Sequence, residues 1–223
     1  MSGQHLVIVG AGHAAGQLIA SLAQEKYSGA VTVIGDEPYP PYQRPPLSKK
    51  FLAGELALDR LYLKPAAFYE KFGTRLLLGR RVERIHRPAH RVVLDDGLSL
   101  EYSTLVLATG SRARRLVLPG SDLPGIVSLR SIADVEAIRA RFSAGRSLVV
   151  VGGGYIGLEL AAVAVKLGLA VTVLEQAPRL MMRGVGPVVS TFYERLHREE
   201  GVAVHTGVAV KGFDGEGRVE RVL

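Results

Sequence analysis

Apolar residues along this chain fall into short runs separated by longer stretches of mixed character. LVIV at 6–9, AVTVI at 30–34, RLLLG at 75–79, TLVLATG at 104–110, SLVVV at 147–151 and AVTVL at 170–174 are compact, and turn residues bound them. Runs of that length predict buried strands. Helical spacing predicts helices after residue 12, around 65–72, at 131–142 and over YIGLELAAVAVKLG at 155–168. Two βαβ patterns result, the first over 5–34. Apolar residues alternate through 82–94, and Asp96-Gly97 predicts a hairpin turn between RVVL and LSLEY. Pro119, Gly120, Pro124 and Gly125 mark the crossing into the second pattern. The predicted fold class is α/β, with two Rossmann-like βαβ units. Its layers number three, and its sheets are mostly parallel with β-hairpin or meander additions. The expected division is 1–112 and 113–223.

Each βαβ pattern carries a glycine-rich loop between strand and helix. The first is Gly10-Ala11-Gly12-His13-Ala14-Ala15, and the second is Gly152-Gly153-Gly154-Tyr155-Ile156-Gly157. Glycine permits the sharp turn and lets backbone N–H groups approach a pyrophosphate. The helix N-terminus adds unpaired donors and partial positive charge. One such loop is weak evidence, because a tight βα turn with no ligand has the same pattern. Two in strand–turn–helix context predict two dinucleotide sites, and a chain with two such sites usually passes electrons between them.

The residue that meets the adenosine ribose is expected about 20 residues beyond each loop. Glu175 ends the strand AVTVL and fits that spacing. A carboxylate there accepts from the ribose hydroxyls and repels a 2′-phosphate, so NADH is preferred over NADPH. Arg179, four residues on, would weaken that preference. After the first loop the acids come slightly late, as Asp36 and Glu37.

Composition narrows the chemistry. The 223 residues are 48% hydrophobic and 22% charged, as in globular proteins, and contain no cysteine. Disulfide scaffolds, thiolate metal sites and a redox-active cysteine pair are thereby excluded within these residues, and no metal site is predicted. No signal peptide or membrane segment is visible, so the expected location is cytoplasmic. The formal net charge is +7. Arg80, Arg81, Arg84, Arg87 and Arg91 cluster, as do Arg112, Arg114 and Arg115. They are either a solvated surface or a docking face for an acidic protein. No nucleic-acid recognition motif accompanies them.

Five segments, VIVGAGHAAG, IGDEPYPPYQRPPLSK, LVLATGS, VVVGGGYIGLELA and VTVLEQAPRLM, carry a family resemblance. The chain resembles the FAD-dependent ferredoxin reductases of bacterial oxygenase systems. That group includes the putidaredoxin and rubredoxin reductases and apoptosis-inducing factor. The resemblance implies FAD on the first loop, within 1–112, and NADH on the second, within 113–223. It implies that Lys49 sits at the reactive edge of the flavin and pairs with Glu159, and that Arg44 contacts FAD. Consecutive prolines are expected to hold this segment stiff and extended. By the same resemblance Ala108, Thr109 and Gly110 form a turn close to FAD, and Arg130 lies near the flavin. The backbone of Arg81 and Val82 faces the adenine, and Tyr155 gates the nicotinamide site. His13 is a neighbour of the first site and not a general base. The implied acceptor is an acidic iron–sulfur ferredoxin or a rubredoxin.

Family members are considerably longer. The chain therefore reads as an N-terminal portion, with its NADH unit incomplete at the C-terminal end and a final strand that leaves an unpaired edge. On that expectation it binds FAD weakly alone. Two other readings stand beside the flavin oxidoreductase. One is a non-catalytic dinucleotide-binding fragment, and the other is a basic interaction protein on a Rossmann scaffold.

Overall fold

The two glycine loops lie in separate units of the chain. In the computed structural model, which describes residues 4–223, the first unit takes the residues up to Arg44 together with Ala57–Arg112. The second takes Pro45–Leu56 together with Ala113–Leu223. The chain passes between the units at three places, after Arg44, after Leu56 and after Arg112. One segment, 45–56, departs from the expected division. Its apolar side chains Leu47, Phe51 and Leu52 are buried, and it packs on helices of the second unit.

In the first unit, β1 (His5–Val9), β2 (Ala30–Gly35), β3 (Thr74–Leu78) and β7 (Thr104–Leu107) form a parallel sheet in the order β3-β2-β1-β7. Helix α1 (His13–Gln24) crosses from β1 to β2, and α2 (Ala66–Lys71) precedes β3. Strands β4 (Val82–His86), β5 (Arg91–Leu94) and β6 (Ser99–Glu101) form an antiparallel meander. Strand alternation explains the layering. Leu6, Ile8, Val31 and Val33 face Ala15 and Ile19 of α1 and Tyr69 of α2. Val7 and Ile34 point the other way, into Val92, Leu94 and Leu100 of the meander. The sheet is therefore covered on both faces, giving the three layers expected. Each large apolar side chain so buried contributes roughly 1.5–3 kcal/mol. The turn at Asp96-Gly97 forms as expected, with the Leu94 N–H donating to Leu98 O at 2.8 Å.

The proline-rich segment differs from expectation. Pro45–Ser48 is a short 3-10 helix, not an extended stretch. Proline fixes φ near a value that extended and 3-10 backbones share, so ψ decides between them. Here the Lys49 and Phe51 N–H groups both donate to Pro46 O at 3.0 Å, which favours the helical turn.

In the second unit, α3 (Ile132–Arg139) begins with a capping box between Ser131 and Asp134. Strands β8 (Ser147–Val151), β9 (Ala170–Glu175) and β10 (Ala203–Thr206) form a parallel sheet in the order β10-β9-β8. Helix α4 (Tyr155–Lys166) connects β8 to β9, and α5 (Pro187–Glu199) connects β9 to β10. Val171, Val173 and Val204 are buried, while Val149 and Val151 on β8 stay partly exposed. The final strand, β12 (Arg221–Val222), pairs antiparallel to β11 (Phe213–Asp214) in a sheet of two strands. No helix among the described residues is long and apolar enough to cross a membrane.

Candidate functional site

The first loop turns from β1 into α1 at Gly10, whose φ is +108. A side chain there would also strike the Ala108 carbonyl, so glycine is required on two grounds. The Gly10 N–H is spent on Ile34 O at 2.7 Å. Gly12 is the N-cap of α1 and offers no side-chain cap, and the space where its Cβ would point is open. The first-turn N–H groups are thus neither capped nor crowded, which suits a diphosphate. His13 and Ala14 are exposed beside it, and Ala15 is buried in the core.

The acids near this loop are placed differently from one another. Glu37 accepts from Tyr42 Oη at 2.5 Å and from Arg44 Nη2 at 2.6 Å, and Arg44 also donates to Tyr42 Oη at 2.9 Å. Both carboxylate oxygens are engaged, and Arg44 and Glu37 are brought together. Asp36 stays exposed, 3.6 Å from Arg81. The Arg81 carbonyl accepts from the Asp95 N–H, and Val82 begins β4. Ala108 donates to Val9 O at 2.7 Å, and Thr109 and Gly110 follow on an exposed turn. Of the arginine cluster, Arg80, Arg81 and Arg91 pair with Asp96, Asp36 and Glu101. Local acids therefore offset part of that basic surface.

The second loop repeats the geometry. Gly152 has φ +111 and donates to Leu174 O at 2.8 Å. Gly154 is the N-cap of α4, again without a side-chain cap and facing open space. Gly157 lies where a Cβ would strike the Gly152 carbonyl. Tyr155 and Ile156 are 56% and 54% exposed. Glu175 ends β9, as expected, and accepts from the Gly153 N–H and the Ala177 N–H, each at 2.7 Å and each on a different oxygen. A carboxylate oxygen has two lone pairs, so each keeps one for a ribose hydroxyl. Arg179, expected to moderate coenzyme choice, points elsewhere: its guanidinium is bonded to Val185 O, Ser190 Oγ and Met182 O.

Lys49 and Glu159 meet within the second unit, at 2.7 Å between Nζ and Oε2. Ser48, which the sequence reading passed over, donates to the same Oε2 at 2.5 Å and is only 4% exposed. Two consecutive residues thus grip one carboxylate on the first turns of α4. Lys49 also donates to Pro45 O at 3.2 Å, leaving a third ammonium donor. The signal for Ser48 was its place beside Lys49, but only the fold shows where its hydroxyl goes. Arg130 lies just before α3, with its N–H donating to Asp134 Oδ2 at 2.9 Å.

Tyr155 and Glu159 also line a cavity of about 390 Å³ between α4 and α5, with Leu158, Tyr193 and Leu196. His197 on its wall has its pKa lowered from the usual 6.5 by burial, an effect that nearby Glu200 partly opposes. No group of His, Cys, Asp and Glu among the described residues could hold a metal ion.

The sequence model of the pyridine nucleotide-disulphide oxidoreductases matches residues 4–223. Rhodocoxin reductase of Rhodococcus erythropolis is 42% identical over 97% of this chain and 51% of its own length. Putidaredoxin reductase of Pseudomonas putida is 42% identical over 94% of this chain and 50% of its own. Among solved structures, the covalent putidaredoxin reductase–putidaredoxin complex superposes with a TM-score of 0.92 at 40% identity, over 99% of this chain and 54% of that one. The chain spans about half the length of the curated relatives it matches.

Proposed function

The chain belongs to the pyridine nucleotide-disulphide oxidoreductase family, and from that premise we propose that it serves an NADH-dependent, FAD-containing reductase. Electrons would go to an acidic iron–sulfur ferredoxin or a rubredoxin of an oxygenase system, in the cytoplasm. The observation that carries this reading is the duplicated loop. Each copy presents an uncapped, uncrowded helix N-terminus at the end of a parallel strand. The named relatives, which include two reductases of redox partner proteins, support it.

In this reading Gly12, His13 and Ala14 receive the FAD diphosphate, flanked by Ala108, Thr109 and Gly110, while Gly10 makes the turn with its N–H already bonded to Ile34 O and the buried Ala15 packs the helix on the sheet. Asp36, rather than the engaged Glu37, is the better placed acid for the ribose of that nucleotide. Arg44 stiffens the loop through Glu37 and Tyr42. The backbone at Arg81 and Val82 completes the contacts that the first unit offers FAD. Gly152, Gly154, Ile156 and Gly157 receive the NADH diphosphate, Glu175 its adenosine ribose, and Tyr155 screens the nicotinamide. When bound, FAD would supply a group able to accept two electrons at once and to give them up one at a time. Lys49 supplies a positive charge whose position Glu159 fixes. These 223 residues contain no cysteine, so no dithiol relays the electrons within them, whatever the family name suggests.

Calorimetric titration of NADH and NADPH into the chain tests the proposal. NADH is expected to bind more tightly, and Glu175→Ala to narrow the gap. Equal affinity for both coenzymes in the unaltered chain would refute the ribose assignment.

A further inference from the structure

The segment between β9 and α5 is fastened to the second glycine loop from two sides, and one arginine holds the fastening. The Gly153 N–H is bound by Glu175 Oε2 at 2.7 Å, and the Gly153 carbonyl accepts from the Met181 N–H at 2.9 Å. The buried Leu180 side chain fills the space where a Cβ on Gly153 would stand. Met181 reaches this position with φ +49, a left-handed conformation that a non-glycine residue adopts at a cost. Something must hold it there. Arg179 Nη1 donates to Val185 O and to Ser190 Oγ, both at 2.7 Å, and Nη2 donates to Met182 O at 3.1 Å. Ser190 is 1% exposed, and its hydroxyl donates a hydrogen bond to Leu180 O at 2.6 Å.

We infer that Arg179 is the positioning residue of the coenzyme loop: it locks residues 180–185 against Gly153 and is thereby withheld from any 2′-phosphate. Turning the guanidinium outward would take an accepted hydrogen bond from the buried Ser190 Oγ, which would keep only its own donation to Leu180 O, and would release the part-buried Val185 carbonyl and the exposed Met182 carbonyl, three contacts that one exposed phosphate contact does not replace. Glu175 alone then decides between the two coenzymes. Arg179 affects both equally, by fixing, through Met181, the peptide that leads from Gly153 into the Gly154 N-cap of α4. The inference rests on the reading of the second loop as an NADH site.

The test is calorimetric titration of NADH and of NADPH into the full chain and its Arg179→Met, Arg179→Lys and Ser190→Ala variants. It is paired with the amide resonance of Gly153 in ligand-free, ¹⁵N-labelled protein. Arg179→Met is expected to weaken both coenzymes about tenfold, the scale of one lost charge-assisted contact, and to leave their ratio within about twofold. Arg179→Lys should recover part of that loss, and Ser190→Ala should act in the same direction less strongly. The Gly153 resonance should move in Arg179→Met and Ser190→Ala before any ligand is added. Selective loss of NADPH binding would make Arg179 a phosphate ligand and overturn the inference. So would unchanged affinities with an unmoved Gly153 resonance. If Arg179→Met fails to fold, Ser190→Ala decides by the same criteria. Absence of saturable NADH binding to the unaltered chain would instead overturn the coenzyme reading. The Gly153 resonance then still decides whether Arg179 fixes the loop.

Discussion

The two glycine loops share a backbone and differ in their surroundings. Gly10 and Gly152 have φ of +108 and +111 and donate to the last-but-one residue of the neighbouring strand, at 2.7 and 2.8 Å. Yet Gly10 is pressed by the Ala108 carbonyl, because β7 runs beside β1, whereas Gly152 faces open space. The carboxylates differ too. Gly10 bonds to Ile34 as Gly152 bonds to Leu174, so Gly35 occupies the place that Glu175 holds in the second unit. The second loop is tied to its acid, while the first has its nearest acid one residue later. One sequence pattern therefore answers two separate needs. The turn demands a left-handed residue, and close approach of a flanking strand demands the absence of a side chain.

The largest effect that can break this comparison is at the first glycine itself. Gly10→Ala should cost about 2–5 kcal/mol, combining left-handed strain with overpacking against Ala108. Gly152→Ala carries the strain alone, about 1–2 kcal/mol. Urea denaturation followed by circular dichroism measures both, and equal losses would show that the flanking strand is irrelevant.

A second difference lies on the helices. Glu159 of α4 is gripped by Ser48 and Lys49, while Gln17, at the matching position of α1, is exposed. Ser48→Ala should destabilise the second unit by about 1 kcal/mol, less than a fully buried charged hydrogen bond because Glu159 is partly solvated. Lys49→Ala removes a pair that is more exposed still and should change the melting temperature little, within about 0–1 kcal/mol. A larger loss for Lys49→Ala than for Ser48→Ala would reverse the assignment of which residue anchors the carboxylate.

The smallest effect is a pH dependence confined to the second unit. His197 is buried with its pKa lowered from 6.5, so the unfolded chain binds its proton more readily than the folded one. Its contribution to stability is intact above pH 6.5 and falls as the pH drops from there toward the folded value. In the first unit the buried Tyr69 is pushed up to about 12 by desolvation and is silent in that range. Denaturation midpoints between pH 7 and 5 should decline in the native chain, and His197→Phe should flatten the decline.

The sequence fits the fold closely where local chemistry governs. The strand runs, the hairpin at Asp96-Gly97 and both glycine loops were legible, because each rests on a short-range rule of periodicity or φ. Helix α5 escaped notice, although Pro187 follows Gly186 at its start, because its exposed Val188, Val189 and Phe192 blur the apolar stripe. The proline-rich segment was misjudged as extended, since proline fixes φ and leaves ψ to the surroundings.

Two strand–turn–helix units, each exposing a helix N-terminus, and Glu175 at the end of the second unit's strand can therefore be read from the chain alone. Those features depend on residues near one another in the chain. The partners of the long polar side chains come from the folded packing instead. It sent Arg179 to Ser190 and Ser48 to Glu159, and it drew Glu37 onto Arg44. A side chain with several rotatable bonds and several donors has many local solutions, and burial of its neighbours selects among them.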